Sequence, residues 1–306
     1  MRRIALACLA AGALAVSCSG TSSTSSTPAS TFSLQVASSD MYAGTPQRVE
    51  VGIFNSTGQG VQLLTGGAIP LTLVPADGGQ ALQGSATYIA APGTPSSSSP
   101  QLTSPSDARG VYGLEDVTFP TTGVWQAQLS FEAGGQPVNL TAAFGVSDKP
   151  ALPAIGDKAF HTENLTMADA AKDPEAVDSR AQDGAKVPDP ELHRDTIAGA
   201  LAAHRPILAL FATPVYCTSE FCGPSTDALE KLSKVGPKDA AYIHIEIYKN
   251  HAKNQVNAAA AEWLLRNNDL TEPWLFLIGR DGRILDRWAP LFDPHEVLTE
   301  LEKAAR

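Results

Sequence analysis

Two short runs stand out: PILALFAT at 206–213 is apolar at nearly every position, and AYIHIEIYK at 241–249 is rich in apolar residues and reads as a second buried strand. A strand with one wet face alternates, so a continuous run of this length reads as a strand covered on both sides. Between them, PSTDALEKLSKV (224–235) opens with Pro and carries its apolar residues at helical spacing, which makes it a crossover helix. The flanks continue the pattern. DTIAGALAAH (195–204) predicts a helix capped by Asp195 or Thr196, with Ile197 and Leu201 on one face. NQVNAAAAEWLLRNN (254–268) predicts a second amphipathic helix. EPWLFLIGRDGRILDRW (272–288) predicts two strands joined by an Asp-Gly turn at 281–282. DPHEVLTELEKAA (293–305) closes the chain as a helix with Asp293 as cap, Pro294 in its first turn and Val297, Leu298 and Leu301 as its apolar stripe. The expected order is α-β-α-β-α-β-β-α. The polar stretch 161–192 reads as loop with one short helix.

The first half follows another period. Between 32 and 147, QRVEVGIFN, IPLTLVPA, VYGLEDVTF, VWQAQLSFEA and VNLTAAFGV alternate apolar and polar residues and are separated by Gly and Pro turns, the signature of a β-sandwich. APGTPSSSSPQLTSPSDARG (91–110) reads as a long exposed loop. Trp125, an aromatic in an alternating strand, reads as core. RGVYGLEDVTFPTTGVWQAQL (109–129) is similar to the close of immunoglobulin-like domains in exported bacterial proteins, the YtkA-like group among them. This resemblance implies an immunoglobulin-like sandwich. No acid pair, His cluster or metal spacing stands out in this half, so a binding, spacing or docking role is expected of it.

A chain of 306 residues is long enough for two cored domains. Its charged fraction of 18% and net charge of −10 supply no basic patch, which excludes nucleic acid as an expected partner. MRRIALACLAAGALAVSCSG at the start pairs Arg2 and Arg3 with an apolar stretch from Ile4 to Val16. That stretch is shorter than the about 20 residues a membrane span needs and suits a signal peptide. The small residues before Cys18 resemble a bacterial lipobox, although Ala15 stands where Leu is usual. The resemblance implies a signal peptide over 1–18, lipidation of Cys18 and anchoring to a membrane on its outer face. The Ser/Thr-rich stretch 19–31 reads as a flexible tether.

With Cys8 in the removed leader and Cys18 lipidated, Cys217 and Cys222 are the remaining thiols, in a compartment where disulfides persist. They lie in PVYCTSEFCGPS (214–225), between the first buried strand and the crossover helix. Five positions in an α-helix rise about 7.5 Å. Cysteines whose Cα atoms lie beyond about 7 Å cannot bridge without backbone movement. A bridged pair at this spacing therefore cannot sit wholly in helix. Cys217 is expected in the loop, TSEF as a small bulge, and Cys222 just ahead of the helix opened by Pro224. A helix N-terminus stabilises a thiolate, the attacking species in disulfide exchange. A structural disulfide is the competing reading, but a loop this small restricts the unfolded chain by only about 2 kcal/mol.

Residues 150–306 resemble the thioredoxin-like superfamily. The resemblance rests on three features: cysteines at a strand-to-helix turn, Pro273 directly before the third strand, and the FLIGRDGRIL hairpin. PAIGDKAF (153–160) is similar to the opening of extracytoplasmic members, with Phe160 where Pro is usual. The resemblance implies disulfide exchange through Cys217 and Cys222 with thiol- or disulfide-containing exported proteins. It also implies a cis-proline at Pro273 and a substrate groove along Tyr216, Glu272, Pro273 and Trp274. FATPVYC favours Cys217 as attacker, whereas FCGPS, with Ser225 in the resolving place, favours Cys222; both stay open. ILALFAT lacks the buried acid that assists proton transfer in thioredoxin. The Sco copper chaperones, tethered and thioredoxin-like with C-x-x-x-C and a distant His, are the metal alternative, with His244 and His295 as candidates. A non-catalytic scaffold is the other alternative. No cofactor is called for and no metal ligand is assigned.

Overall fold

The computed structural model describes residues 31–107, 109–133 and 135–306. The expected leader over 1–18, the lipidated Cys18 and the tether up to residue 30 lie outside the described residues. Thr31, expected as the last residue of the tether, begins a strand. Among the described residues no helix is long and apolar enough to cross a membrane.

Among the described residues the sheet-rich part holds nine strands: β1 (Thr31–Val36), β2 (Gln47–Thr57), β3 (Gly60–Thr65), β4 (Ala68–Pro75), β5 (Leu82–Ala90), β6 (Gln101–Thr103), β7 (Gly110–Val117), β8 (Gly123–Ala133) and β9 (Gln136–Val146). Their order is β6-β3-β2-β7-β5-β4-β8-β9, with β1 added to β2. β2 serves three neighbours, pairing β7 through Gln47–Val51, β1 through Val51–Ser56 and β3 through Phe54–Thr57. Alternation decides which side chains turn inward: Val49, Val51 and Ile53 of β2 meet Leu71 and Leu73 of β4 and Leu129 of β8 in one core. Trp125 is fully buried there against Phe119, and its Nε1 donates to the Thr121 carbonyl at 3.1 Å. The loop expected over 91–110 instead contributes β6, whose Leu102 pairs with Leu64.

The α/β part follows the expected order with additions in its first stretch and after its second strand, where a small hairpin takes the start of the helix expected over 254–268. Residues 161–192, read as loop with one short helix, form one-turn helices α1 (Met167–Ala170) and α2 (Pro174–Val177) and a 3-10 segment Ser179–Gly184; a second, Pro190–His193, follows. Asp173 and Asp178 cap the turns with their carboxylates, so the segment is ordered by caps rather than by apolar periodicity. Then come α3 (Ile197–Ala202), β10 (Ile207–Ala212), α4 (Cys222–Val235), β11 (Ala241–Glu246), the small hairpin β12 (Tyr248–Asn250) and β13 (Gln255–Val256), α5 (Ala258–Leu264), β14 (Trp274–Ile278), β15 (Ile284–Trp288) and α6 (Pro294–Ala305). The sheet order is β11-β10-β14-β15. β10 and β11 are parallel, and the other pairs are antiparallel.

Every residue of β10, β11 and β14 is buried, the polar His244 and Glu246 of β11 included. The pleat then sorts them. Ile207, Ala209 and Phe211 face α3 and α5, where Trp263 fills the centre. Leu208, Leu210 and Ala212 face α4 and α6 through Leu229, Leu232, Val297 and Leu301. The final helix begins as expected at Asp293, whose carboxylate accepts from the His295 amide at 2.9 Å. Thr196 rather than Asp195 caps α3, accepting from the Gly199 amide at 3.0 Å. Thr196→Ala is expected to cost about 1 kcal/mol, read as a lower urea midpoint at unchanged slope.

The two parts meet over a mixed interface. Leu291 and Phe221 pack with Ala37, Ala91 and Val111. Arg48 reaches Glu296 at 2.6 Å, Arg109 pairs with Glu220, and Arg287 pairs with Asp40 at 2.7 Å.

Candidate redox site

β10 delivers the chain to the top of its sheet at Ala212, and nine residues separate it from α4. The loop is held from below, where the Ser179 hydroxyl accepts the Val215 amide at 3.2 Å. Its tip turns at Glu220, which takes the left-handed backbone region at φ 62°. This brings Cys217 back over the helix, with Cα atoms of Cys217 and Cys222 5.9 Å apart and the two sulfurs bonded. The geometry agrees with the exclusion drawn from helical rise: one cysteine is in the loop and the other at a helix end. It differs in detail, since α4 starts at Cys222 itself rather than at Pro224. Pro224 fits the first turn, where its missing N–H is no loss.

The two sulfurs sit in different surroundings. Cys222 is wholly buried among Leu208, Leu210, Ala212 and Leu229, whereas Cys217 is half-buried. Phe221, the residue before α4, offers no side-chain cap. The Cys217 sulfur takes that place, accepting from the Cys222 amide at 3.3 Å, and the Ser219 hydroxyl lies 3.3 Å from it. An orphan amide of the helix start thus points at the more accessible sulfur.

Glu272 completes the cluster. A carboxylate oxygen of Glu272 and both sulfurs lie within 4.8 Å of one another. Its Oε2 is buried without a hydrogen-bond partner. Burial, and secondarily the charge of Glu246, push its carboxyl up to about 7. Glu246, buried at the end of β11, is itself raised by desolvation despite accepting the Ser179 and Tyr248 amides. From the sequence, Glu272 is expected here only as part of the substrate groove. No acid was found in ILALFAT, and the signal missed is that an acid immediately preceding Pro273 reaches the same corner from another strand.

The peptide bond between Glu272 and Pro273 is cis, as is Ala289–Pro290. Glu272, Pro273 and Trp274 line a cleft of about 640 Å³ between the two parts. Thr218, Ser219 and Phe221 of the cysteine loop share its wall, and Val36, Ile53, Phe54 and Val111 of the sheet-rich part face them. Trp274 is almost fully buried, stacks on Phe276 and donates from Nε1 to Thr271 at 3.0 Å. Tyr216 is drawn away from the cleft: its hydroxyl donates to Glu175 at 2.6 Å and its ring stacks on His251 with centroids 4.0 Å apart. That hydrogen bond to a carboxylate raises its phenol to about 12.

The histidines considered for copper are elsewhere. His244 is buried with Asp178 and His193, and His295 lies in the first turn of α6. With the sulfurs bonded to each other, Cys217, Cys222 and Glu272 offer no thiolate to a metal. No family model matches the chain, no curated protein is found similar to it, and no solved structure matches it.

Proposed function

We propose that the chain is an exported, membrane-tethered thiol-disulfide oxidoreductase whose 150–306 region is a thioredoxin-like domain and whose 32–147 region is an immunoglobulin-like sandwich. The observation that carries the proposal is the asymmetric sulfur pair beside an acid poised near neutrality. A stapling disulfide needs neither a helix amide aimed at one sulfur nor an unpartnered carboxyl next to both. The strand-helix placement of the cysteines and the position of Pro273 across from them support the fold assignment, and the leader with Cys18 supports the tether.

In the reductive direction, the Cys217 thiolate attacks one sulfur of a partner's disulfide. A Cys217–partner bond forms, the partner's S–S bond breaks, and the leaving thiolate takes a proton from solvent. Glu272 carboxylate then accepts the Cys222 thiol proton. The Cys222 thiolate attacks the Cys217 sulfur, closing the intramolecular bond and releasing the partner's second thiolate. Two electrons have passed to the partner. The reverse sequence oxidises a partner dithiol. The half-buried Cys217 is the attacker because a partner's sulfur can reach it, and the buried Cys222 resolves. The cleft along Pro273 receives the partner's extended segment.

Titration of the full chain in thiol redox buffers is expected to show a pair that reduces reversibly above about −300 mV, with Cys222→Ser accumulating mixed disulfides and Cys217→Ser forming none. A pair that remains oxidised below that potential would assign it a structural role.

A further inference from the structure

Behind the cysteine loop lies a second cluster that the redox reading does not use. Asp178 and His193 come from the capped segment and the 3-10 turn before α3, and His244 comes from the middle of β11. All three side chains are fully buried. Asp178 Oδ2 lies 3.4 Å from His193 Nε2 and 3.5 Å from His244 Nδ1, and the three atoms lie within 4.8 Å of one another. Yet neither ring nitrogen of His193, nor Nδ1 of His244, makes a hydrogen bond.

The tautomers sharpen this. His244 Nε2 is 3.1 Å from the Ala212 carbonyl, an acceptor only, so Nε2 carries the proton. In the neutral ring, Nδ1 then presents a lone pair to a carboxylate oxygen. The Asp178 carboxylate accepts from Arg180 Nη2 at 2.7 Å and from Arg180 Nε at 3.0 Å. The Asp178 carboxylate, His244 Nδ1 and the His193 ring converge in a dry interior, and three of the ring nitrogens there lack a hydrogen-bond partner. An unpaired arrangement of this kind is costly. A cation removes the cost.

We propose that Asp178, His193 and His244 form a metal site for a divalent transition ion, Zn²⁺ by ligand type. Bonds of about 2.0–2.2 Å in a tetrahedron put neighbouring ligand atoms about 3.3–3.6 Å apart, and the two separations from Asp178 fall in that interval. The His244–Ala212 hydrogen bond is the outer contact that orients a ligating imidazole. Arg180 donates to Asp178 at 2.7 Å but also faces Asp189 at 2.9 Å and Asp227 at 3.6 Å. Its charge is thus answered without Asp178, and the site tolerates a further cation. The ion fastens the 167–193 segment to β11, and through Ser179 that segment supports the loop bearing Cys217.

The test uses the tag-free chain with its cysteines oxidised, stripped by chelator and titrated with Zn²⁺ alone. One equivalent is expected to bind and to raise the melting temperature. His193→Gln and Asp178→Asn are each expected to weaken binding at least tenfold and abolish the thermal shift, with circular dichroism confirming the fold. His193 lies in a short turn outside the central sheet, so its variant reports even if the Asp178 change does not fold. Absence of stoichiometric binding by the wild-type chain overturns the proposal, as does binding that survives both substitutions. Because the cysteines stay oxidised throughout, failure of the redox assignment leaves this outcome unchanged.

Discussion

Glu272→Gln is expected to slow resolution of the mixed disulfide about a hundredfold, the lower range for loss of a positioned general base. Glutamine keeps the shape and the buried contacts but cannot take the Cys222 proton. In the wild-type chain the resolving rate should climb with pH through about 7, where the Glu272 carboxyl loses its proton. In the variant that inflection should vanish and the rate should follow the thiol alone, near about 8.5 for an ordinary cysteine. Stopped-flow measurement of partner release across pH reads both. A variant with the wild-type profile would remove Glu272 from the chemistry.

The same substitution carries its own folding control. The Glu272 carboxyl is raised from 4.5 to about 7 in the fold, so the folded chain holds this proton more tightly than the unfolded one. Its favourable contribution is complete below about 4.5 and is lost as pH rises through about 7. Glutamine does not ionise, so the variant should match the wild type in acid and melt higher above pH 7. Asp286, raised to about 6 chiefly by burial, keeps a residual slope in both proteins. Slower exchange together with higher stability cannot come from misfolding.

The sequence made the central α/β architecture readable because burial on both faces leaves a continuous apolar run, which β10 and β14 each show, while β11 interrupts its own with His244 and Glu246. Caps were readable for the same local reason, at Thr196 and Asp293. Strands with one polar face and no continuous apolar run were harder. β5, with the buried pattern confined to Ala86 and Tyr88, and β3, with Leu63 and Leu64 only half-buried, carry too little alternation to announce themselves. The segment 161–192 escaped because carboxylate caps and long-range bonds order it, such as Asn257 Nδ2 to the Ala176 carbonyl at 2.9 Å.

For the site, the spacing of Cys217 and Cys222 forced one of them out of the helix, and that constraint reads directly from geometry. Which sulfur is accessible does not, since it depends on the packing of Cys222 against Leu229 and Ala212. Glu272 and the Asp178–His193–His244 cluster share another difficulty. Their members lie 50 or more positions apart in part, so only the folded sheet brings them together. Tyr216 shows the converse: adjacency to Cys217 suggested the cleft, but Glu175 and His251 claim its hydroxyl and ring.

Arg287→Ala is expected to destabilise the chain by about 3–5 kcal/mol, the cost of breaking a buried ion pair from one side. Arg287 and Asp40 are only 8% and 6% exposed. Arg287 also donates to the Pro153 carbonyl at 3.2 Å and spreads its guanidinium between Tyr42 and Trp274, 5.3 and 5.2 Å from the ring centroids. Asp40 in turn accepts the Ala151 amide at 2.6 Å and the Leu152 amide at 3.2 Å. Removal of the guanidinium leaves a desolvated carboxylate at the junction between the sheet-rich part and β15. Asp40→Asn strands the cation instead, while Asn still suits the left-handed backbone at φ 53°. The double variant Asp40→Asn/Arg287→Met removes both charges and should therefore cost less than the sum of the single changes. Urea unfolding of the four proteins measures the coupling. Single losses below about 1 kcal/mol, the range of exposed pairs, or simple additivity would show that this contact does not fasten the two parts.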